Sequence, residues 1–262
     1  MRFLFKPVLL SCVLLNAGVS HADVAPQDPL TLTVLSSSGV TGAVQAVAPE
    51  YKKVSDVTLD VKAAPPRGPS PLAIPNRLDR NEDADVVLTE GVTMDRLIAQ
   101  GRVEKSTRVD LGKSFIALAV TDGAVKPDIG SMEAFRETLL NACSVAYSGS
   151  SGGAYLSQWL FPHMALEPGF KLKSRAVADE AVGEVVARGE AQLGVQQLSK
   201  LIAVPGIDIV GLIPDKAQQM ILYSGAVLKS SPHPIEAKAL LDYMGSAKGR
   251  AAIEQSGLKP IR

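Results

Sequence analysis

The chain is poor in the residues that carry redox and metal chemistry: its 262 residues include 2 cysteines, 3 histidines and 1 tryptophan. One cysteine, Cys12, and one histidine, His21, lie near the amino end, in a segment with the features of a leader. Without them, Cys143 has no partner for an internal disulfide, and His163 and His233 cannot form a zinc or iron site. Charge of one sign is missing too. The 27 Lys+Arg balance 27 Asp+Glu, which excludes the basic field expected of a nucleic-acid binder and a polybasic face for anionic lipid. There is no Walker loop, no dinucleotide fingerprint, no repeat at a fixed period and no segment of low complexity. No apolar run approaches the ~18 residues that cross a bilayer.

The amino end instead reads as a secretory signal. Arg2 and Lys6 form a basic start, Pro7 to Leu15 is a short apolar run, and Ser20-His21-Ala22 supplies small residues at a cleavage site. Cleavage after Ala22 and export to the periplasm are expected, with no membrane contact afterwards. Removing residues 1–22 turns 27 basic residues into 25 against 27 acidic ones, a net charge near −2. Asp23 to Pro29 reads as a loose lead.

Strand-like and helix-like segments then alternate. Leu30–Leu35, Thr58–Ala63, Ala84–Leu88, Phe115–Thr121, Ser144–Tyr147, Ala191–Gln196, Ile207–Leu212 and Ile221–Leu228 have the compact apolar, β-branched character of strands. Helical spacing marks Thr41–Lys53 (Val44, Val47, Ala48, Tyr51), Thr93–Gln100, Ser131–Asn141, a stretch from Ala154, Glu180–Arg188, Pro234–Met244 and Lys248–Ser256. This order predicts an α/β protein with largely parallel sheets, and eight strands over 240 residues suit two small sheets better than one large one.

Three loops share a chemistry. Ser36-Ser37-Ser38-Gly39 and Ser148-Gly149-Ser150-Ser151-Gly152-Gly153 each join a strand to a helix, and Gly68-Pro69-Ser70 follows the second strand. At the carboxyl ends of strands in open α/β sheets, hydroxyls and free helix N–H groups can hold an anion. The same residues also serve as ordinary helix caps, so it is their recurrence in both halves that points to a ligand. His163 reads as packing or capping, His233 as part of an exposed turn, and Cys143 as a small apolar residue opening a buried strand. No nucleophile-elbow pattern supports a Ser-His-Asp arrangement.

Pro75-Asn76-Arg77-Leu78, Ala84–Leu88, Ser106–Leu111, Ala146-Tyr147-Ser148, Ala187–Glu190, Leu193-Gly194-Val195-Gln196-Gln197 and Val204-Pro205-Gly206, taken in order, resemble the molybdate-binding-type periplasmic substrate-binding proteins. The likeness covers nearly all of the chain after the signal. It implies a two-lobed type II binding-protein fold, with two sheets flanked by helices and crossover strands near Phe115–Thr121 and Met220–Val227. Lobe 1 would comprise 23–114 and 222–262, lobe 2 would comprise 115–221, and the ligand would lie between them. It also implies an oxyanion pocket of mostly neutral donors: Ser37, Ser38, Ser70, and Tyr147 with Ser148, Ser150, Ser151 and Gly152. Gln196 and Arg77 fall in further blocks of the resemblance.

Two residues depart from that framework. Arg67 precedes Gly68, and Glu90 follows the Ala84–Leu88 strand where a small or neutral residue is expected. A carboxylate repels an oxyanion, whereas a guanidinium pairs bidentately with a carboxylate. The alternatives for both are solvated surface charges. Two functions follow from the resemblance. One is a receptor handing molybdate or another small anion to an ABC permease. The other is a cofactor-independent isomerase on the same scaffold, similar to exported bacterial enzymes that move the double bond of a tricarboxylate by an allylic proton shift. In the second, Glu90 and Tyr147 are the candidate catalytic residues, and Arg67 with the serine loops would hold the substrate.

Overall fold

The structure, a computed structural model, describes residues 29–166, 169–178 and 180–261. The expected signal peptide lies outside the described residues.

The chain begins with strand β1 (Thr31–Ser36), helix α1 (Ser38–Ser55), β2 (Thr58–Ala63), α2 (Ile74–Asp79), β3 (Val86–Glu90), α3 (Gly91–Ala99), β4 (Val109–Ser114) and β5 (Ile116–Thr121). It continues with α4 (Met132–Asn141), β6 (Val145–Ser148), α5 (Ser151–Tyr155), α6 (Phe161–His163), α7 (Phe170–Lys173), β7 (Ser174–Val177), α8 (Val182–Ala187), β8 (Leu193–Gln197), α9 (Leu198–Leu201) and β9 (Ile207–Leu212). It closes with β10 (Ile221–Val227), α10 (Pro234–Gly245), α11 (Ala247–Gln255) and β11 (Lys259–Pro260). A turn of π-helix, Leu156–Leu160, joins α5 to α6.

These strands build two sheets. The first has the order β11-β4-β10-β3-β1-β2 and the second β7-β6-β8-β5-β9. The chain leaves the first sheet at Ser114, enters the second at Ile116, and returns between Leu212 and Ile221. The expected crossover strands are β5 and β10.

The expectation of largely parallel sheets needs correcting. β1 pairs in parallel with β2 and β3, and β6 with β7 and β8. β10 runs antiparallel to β3 and β4, and β5 antiparallel to β8 and β9. The strands that arrive from the other sheet enter against the grain, because they are not fed by a helix crossover within their own sheet. Three strands lack the expected apolar signature. β4 reads Val-Asp-Leu-Gly-Lys-Ser, β7 is a mostly exposed edge strand and β11 spans 2 residues.

Strand alternation buries both faces of the first sheet. Val86 and Leu88 of β3 point into a core with Val40, Val44 and Val47 of α1, while Val87 points to the opposite core with Ile74, Met94 and Leu97. Phe135, Leu139, Val145 and Val195 centre a separate core under the second sheet. α1 begins three residues before the expected Thr41, and its buried residues follow the apolar spacing through Tyr51. It stops at Asp56, in the left-handed conformation with φ 56°. Ser131 caps α4 as its sequence predicts, accepting a hydrogen bond from the Ala134 N–H at 3.0 Å. Cys143 is exposed, not buried, because β6 begins two residues later, at Val145.

Candidate functional site: a cleft between two sheets

The carboxyl ends of β1, β3, β6 and β8 each pass directly into a helix: α1, α3, α5 and α9. The side chains at these four turns form the site. Glu90 ends β3, and its side chain is only 5% exposed. Ser151, at the start of α5 in the other lobe, donates its hydroxyl to this carboxylate and lies 3.0 Å from each oxygen. Arg67 approaches from the loop after β2, with Nη2 3.9 Å from Glu90 Oε2 and a side chain 42% exposed. A buried carboxylate with one hydroxyl and one distant guanidinium is weakly compensated. Such a group costs stability and is found where it has work to do.

Tyr223 of β10 sits directly opposite Glu90 in the antiparallel register. Its ring is fully buried, and its hydroxyl has no hydrogen-bond partner. Burial, reinforced by the negative charge of Glu90, pushes the phenol pKa far up, so the hydroxyl stays a donor. The ring reaches over the start of α1, where a Cβ on Gly39 would lie 1.9 Å from Tyr223 Oη. Only glycine leaves that path open. Ser37, the residue before α1, is buried, does not cap the helix, and leaves its Oγ unpartnered.

The second lobe contributes similar groups. Gln196 and Gln197 at the end of β8 are buried with unpartnered carbonyl oxygens. The Gln197 amide lies against Gly152, where a Cβ would be 1.8 Å from Nε2. Lys200 follows in α9. Burial pushes its ammonium pKa down, and the charge of Glu90 acts in the opposite sense. Among the described residues no carboxylate lies within 4.0 Å of the Lys200 ammonium.

A cavity of about 290 Å³ opens beside Glu90, lined also by Arg67, Arg108, Ser151 and Gln219. Arg108 is already committed to Asp95 and Asp110. Arg67 is therefore the guanidinium with charge left to offer. A larger cavity of about 460 Å³ lies in the second lobe between the end of β5 and α4. It holds Asp128 and Glu137 and no cation, so it is the wrong place for an anion. Among the described residues, no group of three His, Cys, Asp or Glu side chains is placed to hold a metal ion.

Several expected residues are not brought to Glu90. Ser38 is exposed on the first turn of α1. Ser70 spends its hydroxyl on its own turn, accepting from the Leu72 N–H at 3.2 Å. Arg77 is half-buried in an ion pair with Glu82 at 2.7 Å. Ser148 and Ser150 join hydroxyls at 2.8 Å and shape the turn that presents Ser151. Tyr147 packs edge-on against Phe161, with centroids 5.6 Å apart, on the core side of the second sheet. His163 stacks on Trp159 at 4.3 Å, in keeping with a packing role. Tyr223, Gln197, Gln219 and Lys200 are the residues that sequence reasoning missed. Only Gln197 carried a visible signal, as the last residue of the Leu193–Gln197 block.

Two lobes built on mixed sheets, with a polar cleft fed by helix starts from both, define a solute-binding architecture. The chain belongs to the bacterial extracellular solute-binding protein family, whose profile matches residues 32–259. A curated relative from a Pseudomonas species, named aconitate isomerase, is 60% identical over 238 residues, which is 91% of each chain. Among solved structures, the periplasmic molybdate-binding protein of Azotobacter vinelandii superposes with a TM-score of 0.68 at 18% identity, covering 88% of this chain and 100% of that one. The substrate-binding domain of a putative molybdenum ABC transporter from Clostridium difficile gives 0.67 at 21% identity, over 89% and 100%. At those identities the two structures speak for the fold alone.

Proposed function

We propose that this chain is an isomerase that interconverts trans- and cis-aconitate by an allylic proton shift in the cleft. The observation that carries this reading is the buried Glu90 carboxylate, held from the opposite lobe by Ser151 beside the half-exposed Arg67. The 60% identity to a protein named aconitate isomerase supports it. A receptor for molybdate would gain nothing from a carboxylate in the cleft, since like charges repel. In this reading residues 1–22 are a signal removed on export to the periplasm, and the lobes comprise 23–114 with 222–262, and 115–221.

The substrate carries three carboxylates on an unsaturated three-carbon unit. Arg67 pairs with one of them, and the unpartnered Ser37 hydroxyl and the Gln197 side-chain amide N–H are donors for the others. Loss of a proton from the methylene carbon leaves an anion spread over the allylic carbons and their carboxylates. The electron pair of the broken C–H bond becomes the new C=C bond, and the old π pair takes up a proton at the former vinyl carbon. Protonated Tyr223, whose hydroxyl has no partner, is a donor for the charge that develops. Glu90 stands at the centre of the transfer, and closure of the lobes excludes water. The shift itself needs no electron acceptor and no co-substrate.

The test is proton NMR of the mature chain with trans-aconitate and no added cofactor. Appearance of cis-aconitate is expected. Glu90→Gln should lower the rate by about 10²–10⁴-fold, and Arg67→Ala should raise KM about 10–100-fold with little change in Tm. No conversion by the parent protein, together with tight molybdate binding by calorimetry, would establish the receptor instead.

A further inference from the structure

The charged side chains around the cavity beside Glu90 cancel before any ligand arrives. The lining carries two guanidiniums, Arg67 and Arg108, and two carboxylates, Glu90 and Asp95. Arg108 is bonded to Asp95 and, at 2.9 Å, to Asp110 of β4. That leaves Arg67 against Glu90. Tyr223 and Lys200 are the other titratable groups that feel the Glu90 charge among the described residues. Tyr223, opposite it in the sheet, is held as the neutral phenol, and burial, the stronger influence on Lys200, disfavours its ammonium. A fully ionised tricarboxylate in this cavity would set a second carboxylate beside Glu90, with one free guanidinium to serve both. Two carboxylates that share a site do not both stay ionised.

Gln219 supplies what a protonated carboxyl needs. It lines the same cavity, in the segment that returns from β9 to β10. Its side-chain carbonyl oxygen is buried and accepts no hydrogen bond. The preceding residue, Gln218, is pinned across the crossing between lobes. Its carbonyl accepts the Ile116 N–H at 2.9 Å, and its amide donates to the Ile116 and Ile213 carbonyl oxygens at 2.7 and 3.0 Å. The backbone from which Gln219 enters the cavity is therefore fixed. A buried acceptor without a donor is costly, and an ionised carboxylate brings no donor. A carboxylic acid brings one.

We propose that the cleft takes its tricarboxylate with one carboxyl protonated, and that Gln219 holds that carboxyl by accepting its O–H. The inference rests on the isomerase reading for the identity of the ligand. One proton from solvent joins a substrate carboxylate as it enters beside Glu90, and it is given back on release. The neutral carboxyl also serves the shift. The negative charge left by the broken C–H bond then spreads into a group that is not already an anion.

The experiment is calorimetry of the mature chain with tricarballylate, the saturated tricarboxylate that has no double bond to move. Titrations in buffers of different ionisation enthalpy, repeated from about pH 6 to about pH 9, count the protons taken up and give Kd at each pH. The parent should take up about one proton per ligand, and its Kd should rise by up to about tenfold per pH unit. Glu90→Gln, with the repulsion gone, should take up less than about half a proton, and its Kd should be nearly flat with pH. Gln219→Met should bind about 3–10-fold more weakly than the parent at the acid end, with the gap closing at the alkaline end. Binding by the parent without proton uptake would overturn the proposal, as would undiminished uptake in Glu90→Gln. A loss in Gln219→Met that is the same at every pH would mean that the amide donates to an ionised carboxylate, which overturns the role given to Gln219. The NMR assay of the parent separates this inference from the reading beneath it. If the parent takes up the proton yet leaves aconitate unchanged, the isomerase reading falls and the proton-linked site stands. If it turns aconitate over and takes up no proton, only the inference falls.

Discussion

Glu90 and Tyr223 are directly opposed on neighbouring antiparallel strands, one half-held by a hydroxyl from the other lobe, the other buried with an unpartnered hydroxyl. The pair stacks two uncompensated polar groups in one place. An unpartnered buried hydroxyl costs about 1–3 kcal/mol, so removing it should not harm the fold. Tyr223→Phe is expected to melt at or above the parent Tm. Its kcat/KM should nevertheless fall about 10–100-fold, the loss of one hydrogen bond to a charged group. Thermal melts and the NMR assay read the two effects separately. A lower Tm with unchanged turnover would make the hydroxyl structural. Gly39→Ala, whose Cβ would strike the same hydroxyl at 1.9 Å, should lose both stability and activity.

The contrast between these two residues shows what the sequence makes legible. Glu90 stands out as a charge at the end of an apolar strand, where the framework has no use for one. Tyr223 does not, because an aromatic in Ile-Leu-Tyr-Ser-Gly-Ala-Val reads as one more core residue, and only the pairing with β3 puts it opposite Glu90. Lys200 is hidden for a different reason. A lysine one turn beyond a strand looks like a solvated helix end, yet burial lowers its ammonium pKa, and its neighbour Ser199 meets Ser114, 85 residues away in sequence. Local periodicity makes the elements legible, since α1 and the buried strands carry their own apolar pattern, while the two-lobed arrangement is legible only through the family resemblance. Strand direction is not legible in either, because it is set by where the chain re-enters each sheet. Of the three serine loops, the first and third reach the cleft. In the second, Ser70 satisfies its own turn, a local choice that composition does not reveal.

Two adjacent glycines in the third loop should respond differently to the same change. A Cβ on Gly153 would lie 1.4 Å from the Ser148 carbonyl oxygen, and backbone on both sides leaves no relief. A Cβ on Gly152 would lie 1.8 Å from Gln197 Nε2, the end of a side chain that can rotate away. Gly153→Ala is therefore expected to destabilise the protein by at least about 1–3 kcal/mol, as overpacking does, measured by urea unfolding. Gly152→Ala should keep within about 1 kcal/mol of the parent and instead raise KM several-fold, because it displaces Gln197 from the cleft. Equal stability of the two variants would contradict the packing seen at this turn.

Arg77 and Glu82 offer a stability test removed from the cleft. The hydrogen bond from Arg77 is the foremost influence holding the Glu82 carboxyl below its ordinary pKa. A carboxyl depressed in the folded state stabilises the protein above its unfolded pKa, and that stabilisation is lost as pH falls through the folded value. The pair is partly exposed, with Glu82 at 29% and Arg77 at 12%. Its worth is accordingly about 0.5–1 kcal/mol. Glu82→Gln should be less stable than the parent by that amount at neutral pH, and the two should converge once the pH is below the depressed carboxyl pKa. Urea unfolding at a series of pH values measures the convergence. Turnover of aconitate should stay within about twofold at neutral pH, since the pair contributes nothing to the cleft. A constant stability gap down to the lowest pH would mean that Glu82 acts through its shape and not its charge.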